Sequence, residues 1–256
     1  RLLRAKNGWI WKDRLHETVS PLNSCKYARS GDVIILHNHL AGVPRHERNF
    51  KLLDLMFKEN PNEKRVWLYF GHQNFAAGNW LESSKWYLKF GQDKEAAPLE
   101  RFQALCYCSK AMRMMSDPQA IDVSLMAIEL YPNYKDGYLE LAQSYCIVKE
   151  WDKAIHWAFL SDSKDLIHEP PHFIFINPLD YTFGKFVLLA ESYLQKQQFE
   201  TAERWMNEAY KVRPIKEVKE RLDAIREMER RRLVYQSYQA AFVELMDTKE
   251  YTKMKD

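Results

Sequence analysis

The residues of this 256-residue chain best suited to chemistry are His16 and Glu17, which follow the strand-like stretch GWIWKDR. A second strand-like stretch ends at His37. An imidazole and a carboxylate at the end of a strand can coordinate a hard or borderline divalent cation. The same side chains could equally form a structural hydrogen-bonded pair. The sequence therefore offers His16, Glu17 and His37 as a candidate metal site and leaves the structural alternative open.

A second histidine motif, HEPPH at residues 168–172, spells the H-E-x-x-H pattern of zinc proteases. That chemistry requires both histidines on one face of a helix, one turn apart. Pro170 and Pro171 prevent a helix at this position, because proline lacks the backbone donor and clashes with the preceding turn. We therefore interpret the segment as a loop.

Composition and charge exclude several classes of function. The net charge is only +3, from 38 basic and 35 acidic residues, so we expect no nucleic-acid partner. The basic cluster at 226–232 alternates with glutamates at helical spacing, which predicts a self-paired, solvated face. No apolar run approaches the roughly 18 residues that a membrane span needs. The four cysteines show no metal-type pairing, and we expect reduced thiols in a cytoplasmic protein.

The elements that would position the candidate metal site lie in residues 1–44. GWIW at 8–11 and DVIIL at 32–36 are rich in aromatic and β-branched residues and predict two short strands, with a polar, turn-containing stretch between them. Two strands do not make a domain. We therefore expect residues 1–44 to be the end of a sheet that begins earlier in a longer polypeptide. Pro44 then opens a linker helix at 45–62, which Asn-Pro-Asn terminates.

A helix–turn–helix pattern organises the rest of the chain. Residues 137–158 place the small Ala142 and Ala154 beside the aromatic Tyr145 and Trp151, which is the residue order of a tetratricopeptide repeat. One such hairpin cannot bury its own apolar face, so neighbours of the same kind are expected. Alignment gives four repeats within residues 63–214, with starts near Lys64, Arg101, Lys135 and Phe183.

These repeats define the predicted fold class. It is mainly α, a tetratricopeptide-like α-solenoid of about four repeats, preceded by a short β-containing segment. The spacing of the last two starts exceeds the usual period of roughly 34 residues, and an irregular, proline-containing insertion at 161–181 accounts for the excess. Two further apolar stripes at 215–256 predict C-terminal capping helices.

The first helix of each repeat is expected to line a partner-binding groove. This surface is mostly apolar and has no ring of basic residues to hold a peptide carboxylate. A protein or peptide partner could bind it, or the insertion or the C-terminal helix could cover it. The predicted groove residues are Leu68, His72, Phe75, Phe102, Leu105, Met112, Leu139, Gln143, Val187 and Glu191.

Residues 1–17, RLLRAKNGWIWKDRLHE, resemble the closing part of the catalytic domain of family-2, GT-A-type glycosyltransferases, which ends in an aliphatic residue followed by His-Glu. Many members continue with a strand ending in histidine, a helix similar to RHERNFKLLDLMFKENP, and tetratricopeptide repeats. Asp13 stands where the family often has glycine. The resemblance implies that His16 lies near the metal–diphosphate site and that Glu17 is its acidic neighbour. His37, on the following strand, is a weaker candidate for a ligand.

The resemblance also implies a function. The chain would be the C-terminal portion of a metal-dependent glycosyltransferase that uses Mn or Mg, a nucleotide-sugar donor and a glycan or protein acceptor. Residues 1–44 would then be the remnant of its GT-A catalytic domain. Because the nucleotide-binding half would precede this portion, we expect the fragment alone to be inactive. The alternative is a non-catalytic tetratricopeptide scaffold that binds a protein or peptide partner.

Overall fold

A computed structural model gives the architecture of the chain. The residues it describes are 8–12, 18–22, 45–163 and 178–247. They separate into two compact units, Arg1–Ala111 and Met112–Asp256, and each unit is described by itself. The predicted domain boundaries at residues 44, 62 and 214 stay predictions.

The first unit opens with a two-stranded antiparallel hairpin. Strand β1, Trp9–Lys12, pairs with β2, Thr18–Pro21, in a register that runs from Trp9 opposite Pro21 to Lys12 opposite Thr18. The Leu22 amide donates to the Gly8 carbonyl at 3.1 Å and closes the pair. Gly8 has φ +58°, and a Cβ there would lie 2.8 Å from the Leu22 side chain, so glycine suits this position.

The hairpin confirms the first predicted strand and adds a strand that the sequence did not predict. β2 lies in the stretch that the sequence indicated to be polar and turn-containing. Thr18 and Val19 are β-branched, which favours a strand. An antiparallel partner can follow after a short connection, so β1 pairs with the strand that comes next in the chain. The predicted strand at 32–36 lies outside the described residues.

In the described part of the first unit four helices follow, and the second of them begins at Lys64, the predicted start of the first repeat. Helix α1 packs Leu53 and Met56 against Val66 and Phe70 of α2. It ends before Asn60, whose amide donates to the Met56 carbonyl. The bounds are α1 Arg45–Glu59, α2 Lys64–Ala76, α3 Trp80–Gln92 and α4 Pro98–Met114, the last of which ends in the second unit.

The close approach of α2 and α3 depends on small residues. Gly71 lies against the ring of Tyr87, and a Cβ at Gly71 would come within 2.6 Å of that ring. Ser83 takes the place of the usual alanine and donates its hydroxyl to the Gly71 carbonyl at 3.0 Å. The serine is therefore both small enough and hydrogen-bonded, as a fully buried hydroxyl must be.

The second unit contains the third and fourth predicted hairpins. Ala142 of α6 and Ala154 and Ala158 of α7 are fully buried between the paired helices, as the repeat pattern predicted. Helices α8 and α9 form the next pair around Ala190, Ala202 and Ala209. The bounds are α5 Ala120–Leu130, α6 Lys135–Ile147, α7 Trp151–Leu160, a 3-10 turn Pro178–Tyr181, α8 Phe183–Gln195 and α9 Phe199–Val212.

The C-terminal region corrects the prediction of separate capping helices. Residues Lys216–Asp247 form one continuous helix, α10. Its first half packs on the repeats, with Val218, Leu222 and Ile225 buried against α8 and α9. Among the residues that the structure describes, no helix is both long and apolar enough to cross a membrane.

Candidate functional site

The predicted groove residues of the first unit form part of its core. Leu68, Phe102 and Leu105 are buried. His72 Nδ1 lies 2.6 Å from the hydroxyl of the buried Tyr87. Burial raises the pKa of the Tyr87 hydroxyl far above its usual value, so it stays a neutral hydrogen-bonding partner.

Phe75 belongs to the same aromatic packing. Its ring meets Trp80 edge-on, with centroids 5.0 Å apart, and it meets Tyr107 at 5.3 Å. Aromatic pairs at these distances stabilise the fold beyond their area burial. In the first unit the side chains assigned to a groove therefore have structural partners, because α2 is packed by both α1 and α3.

The groove residues of the second unit divide into buried and partnered side chains. Met112 and Leu139 are buried. Val187 packs against the apolar cluster that includes the buried face of α10. The Glu191 carboxylate accepts two hydrogen bonds from the Arg221 guanidinium of α10. At this end of the repeats the C-terminal helix therefore covers the surface, which is one of the alternatives that the sequence left open.

Gln143 belongs to a polar cluster that the sequence analysis did not predict. Asp136, Glu140 and Gln143 share one face of α6, because they are spaced by four and three residues. Arg113, at the end of α4, donates from its guanidinium to both Glu140 and Gln143. The Arg113 and Glu140 side chains are only 14% and 15% exposed, so solvent screens this ion pair little.

The start of α6 adds charged groups to this face. The Tyr181 hydroxyl donates to Asp136 Oδ1 at 2.6 Å. The Lys135 ammonium lies 4.1 Å from the centroid of the Tyr181 ring, in a cation–π contact. Nearby, the buried Lys185 donates to both carboxylate oxygens of Asp162, at 2.6 and 2.5 Å. We call Arg113, Lys135, Asp136, Glu140, Gln143 and Tyr181 the α6 polar cluster.

Burial works against the charges of this cluster. It raises the pKa of the Asp136 carboxyl, and the hydrogen bond from Tyr181 opposes that shift only in part. Burial also lowers the pKa of Lys135, and the nearby charge of Lys185 lowers it further. Burial therefore disfavours both the Asp136 carboxylate and the Lys135 ammonium.

Two atoms of the cluster have no hydrogen-bond partner within the described part of the chain. Asp136 Oδ2 is a buried acceptor without a donor, and Arg113 Nε is a buried donor without an acceptor. An unpaired buried polar group costs about 1–3 kcal/mol. A donor would satisfy Asp136 Oδ2 and an acceptor would satisfy Arg113 Nε, and peptide or side-chain amides supply both kinds of group.

The structure does not test the candidate metal residues. His16, Glu17 and His37 lie outside the described residues, as does the HEPPH segment at 168–172. In the described ranges no group of three or more His, Cys, Asp or Glu side chains could hold a metal ion. The predicted role of metal binding therefore has no support from the structure.

No protein-family model matches the chain, and no curated protein matches it. Solved structures of tetratricopeptide proteins do. MamA is 19% identical over 65% of this chain and 87% of its own, with a TM-score of 0.50. PilF of Pseudomonas aeruginosa is 15% identical over 68% and 72%, with a TM-score of 0.51. A MamA fragment of Desulfovibrio magneticus RS-1 is 13% identical over 74% and 98%, also with a TM-score of 0.51.

These likenesses confirm the fold class, a tetratricopeptide-type α-solenoid. They overturn the interpretation of the chain as part of a family-2 glycosyltransferase, because the matching structures are tetratricopeptide proteins. That interpretation depended on residues 1–17, a short motif beside far longer repeats. The nucleotide-sugar partner loses its support with it. The expected Mn or Mg followed from the same resemblance and stays untested.

Proposed function

We propose that this protein is a non-catalytic tetratricopeptide scaffold that holds a segment of a partner protein against the α6 polar cluster. The observation that carries the proposal is the pair of unpartnered buried atoms, Asp136 Oδ2 and Arg113 Nε. They lie on elements of one unit, and the carboxylate and amide side chains of α6 that Arg113 binds hold its guanidinium in place.

The fold gives this site its means of binding. Stacked repeats present successive first helices on one surface, and proteins of this architecture use such surfaces for extended partners. Both atoms are buried in the unbound chain, so the side chains around them have to move aside before a bound segment reaches them. An N–H of that segment would then donate to Asp136 and a carbonyl would accept from Arg113, which offsets two desolvation costs. The cluster would then contribute to affinity through hydrogen bonds that the unbound chain lacks.

A displayed library of random 12-residue peptides tests the proposal directly. We expect the full chain to enrich a set of peptides and Asp136→Asn to weaken their binding at least tenfold. Asparagine keeps the shape and can keep the oxygen that accepts from Tyr181, but it replaces the Oδ2 acceptor with an amide donor. The matched control is Glu208→Gln on α9, where the carboxylate pairs with Lys211 and the side chain is 38% exposed.

Two outcomes would contradict the proposal. The first is a library that enriches nothing beyond an unrelated helical protein. The second is a set of enriched peptides that bind wild type, Asp136→Asn and Glu208→Gln equally well. Thermal unfolding of each variant shows that lost binding is not lost folding.

The predicted cytoplasmic location belongs to the same proposal. It is supported by Cys146, which is a thiol rather than half of a disulfide. Burial raises the pKa of this thiol, which keeps it protonated and unreactive. Fractionation of cells that express a tagged full-length chain would test the location.

A further inference from the structure

The second half of α10 exposes an apolar surface that the proposed function does not use. All residues from 233 to 246 are exposed. Three aromatic side chains stand out, because Tyr235, Tyr238 and Phe242 are 64%, 71% and 61% exposed. Isolated exposed apolar residues are ordinary, but contiguous apolar patches mark interaction surfaces.

The exposed surface begins where the packing of α10 ends. Val218, Leu222 and Ile225 are buried against α8 and α9. Arg232 makes the last described contact between α10 and a repeat helix. Its guanidinium lies 5.6 Å from the centroid of the Phe199 ring of α9. Beyond it the helix continues for four more turns without burial, although helices gain most of their stability from packing.

The aromatic residues form one stripe on this part of the helix. Tyr235, Tyr238 and Phe242 are spaced by three and four residues, which is the pattern of a helix–helix seam. Val234 and Ala241 flank the stripe on one side. The five residues together form what we call the α10 stripe.

We infer that the α10 stripe pairs antiparallel with the same stripe of a second copy of this chain. From the exposed fractions of its residues, the stripe can bury about 500 Å² per chain, most of it aromatic. With both stripes fully covered, two copies bury at most about 1,000 Å², which is the size of a small, weak interface. An interface of this size predicts a reversible dimer rather than an obligate one.

Arg231 decides the direction of pairing. It lies four residues before Tyr235, on the same face of the helix, where it binds Glu227 of its own helix while its side chain stays 76% exposed. In a parallel pair it would face the Arg231 of the second copy, and like charges at a seam repel. In an antiparallel pair it lies level with the aromatic end of the second copy's stripe, where a guanidinium stacks favourably on Phe242.

The charges of the segment disfavour a membrane as the occupant. Helices that lie on anionic membranes carry several Lys or Arg side chains on their polar face. Residues 233–246 contain no Lys or Arg and a single Glu, Glu244. The polar positions hold Gln and Ser instead, which suits a helix that meets another helix.

Analytical ultracentrifugation of the full chain between about 1 and 100 µM tests the pairing, since this range brackets the affinity expected for a small interface. We expect wild type to shift from monomer to dimer. Tyr238→Glu should weaken the dimer at least tenfold, because it places a charge in the seam of both copies. Leu81→Glu, a matched change at a residue 57% exposed on α3, should leave the dimer unchanged.

A monomer at every concentration would overturn the inference, and so would a dimer that Tyr238→Glu leaves intact. Circular dichroism establishes that the variant is folded, which the exposure of Tyr238 favours.

Disulfide trapping tests the direction. Arg231→Cys and Phe242→Cys chains are mixed, oxidised, and the linked peptides are identified by mass spectrometry. Links between position 231 of one chain and 242 of the other support the antiparallel pair. Links only between identical positions would overturn it.

Discussion

Asp136 shows how a single residue in this protein is held at a cost to stability. Its carboxyl is buried on α6, with Oδ1 bonded to Tyr181 and Oδ2 without a donor among the described residues. Burial raises its pKa above the ordinary value of 3.8. The folded state therefore binds a proton more readily than the unfolded state, and the carboxylate destabilises the fold above the raised pKa. Proteins keep such costly groups where function requires them.

We therefore predict that Asp136→Asn raises the free energy of unfolding relative to wild type near pH 7. The gain should shrink as the pH falls through the raised pKa towards 3.8, because the folded wild-type carboxyl is then protonated and its burial no longer carries a charge. Urea unfolding at the two pH values measures it, with the exposed Glu208→Gln as control. A gain that is equal at both pH values would show that the charge of Asp136 is not the cause.

At the scale of elements, the turns inside the repeats follow one design. In each of the four turns, one residue has positive φ, and the amide after it donates to a carbonyl five residues back. This is the Schellman motif, which satisfies the last carbonyls of a helix. The first turn uses glycine, and the other three use residues with a side chain. The four residues are Gly78, Ser116, Lys149 and Gln197.

The three non-glycine turns store strain that a substitution can release. Lys149 has φ +60°, where a residue with a Cβ costs about 1–2 kcal/mol. We expect Lys149→Gly to raise the free energy of unfolding by about 0.5–1 kcal/mol. Lys153→Gly, inside α7, should lower it by about 1 kcal/mol. Chemical denaturation measures both, and a destabilised Lys149→Gly would show that the lysine side chain contributes more than its backbone costs.

At the scale of the whole molecule, α10 has two roles in one helix. Its first half closes the apolar cluster of the last repeat pair, and its second half is exposed. A capping helix prevents the terminal repeat from exposing its core. Stability should therefore depend on the first half of α10 and assembly on the second.

Two leucines on α10 separate these roles. Leu222 is 2% exposed and Leu233 is 52% exposed. We expect Leu222→Ala to lower the free energy of unfolding by about 2–5 kcal/mol, through lost burial and a cavity. Leu233→Ala, which lies off the α10 stripe, should change it by no more than about 0.5 kcal/mol. Equal losses in thermal or urea unfolding would mean that the second half of α10 also packs on the fold.

The sequence by itself determined the repeats. Small residues such as Ala142 and Ala154 must lie where paired helices approach, so their spacing gives the hairpins and the starts of their helices. The tertiary structure alone decided the candidate site and the fate of α10. The α6 polar cluster joins Arg113, Asp136 and Tyr181, which are distant in sequence and meet only when α4, α6 and the 3-10 turn pack. The apolar residues in the two halves of α10 have the same helical spacing in the sequence. Such spacing shows that a helix face needs a packing partner, but it does not show whether the chain itself supplies that partner.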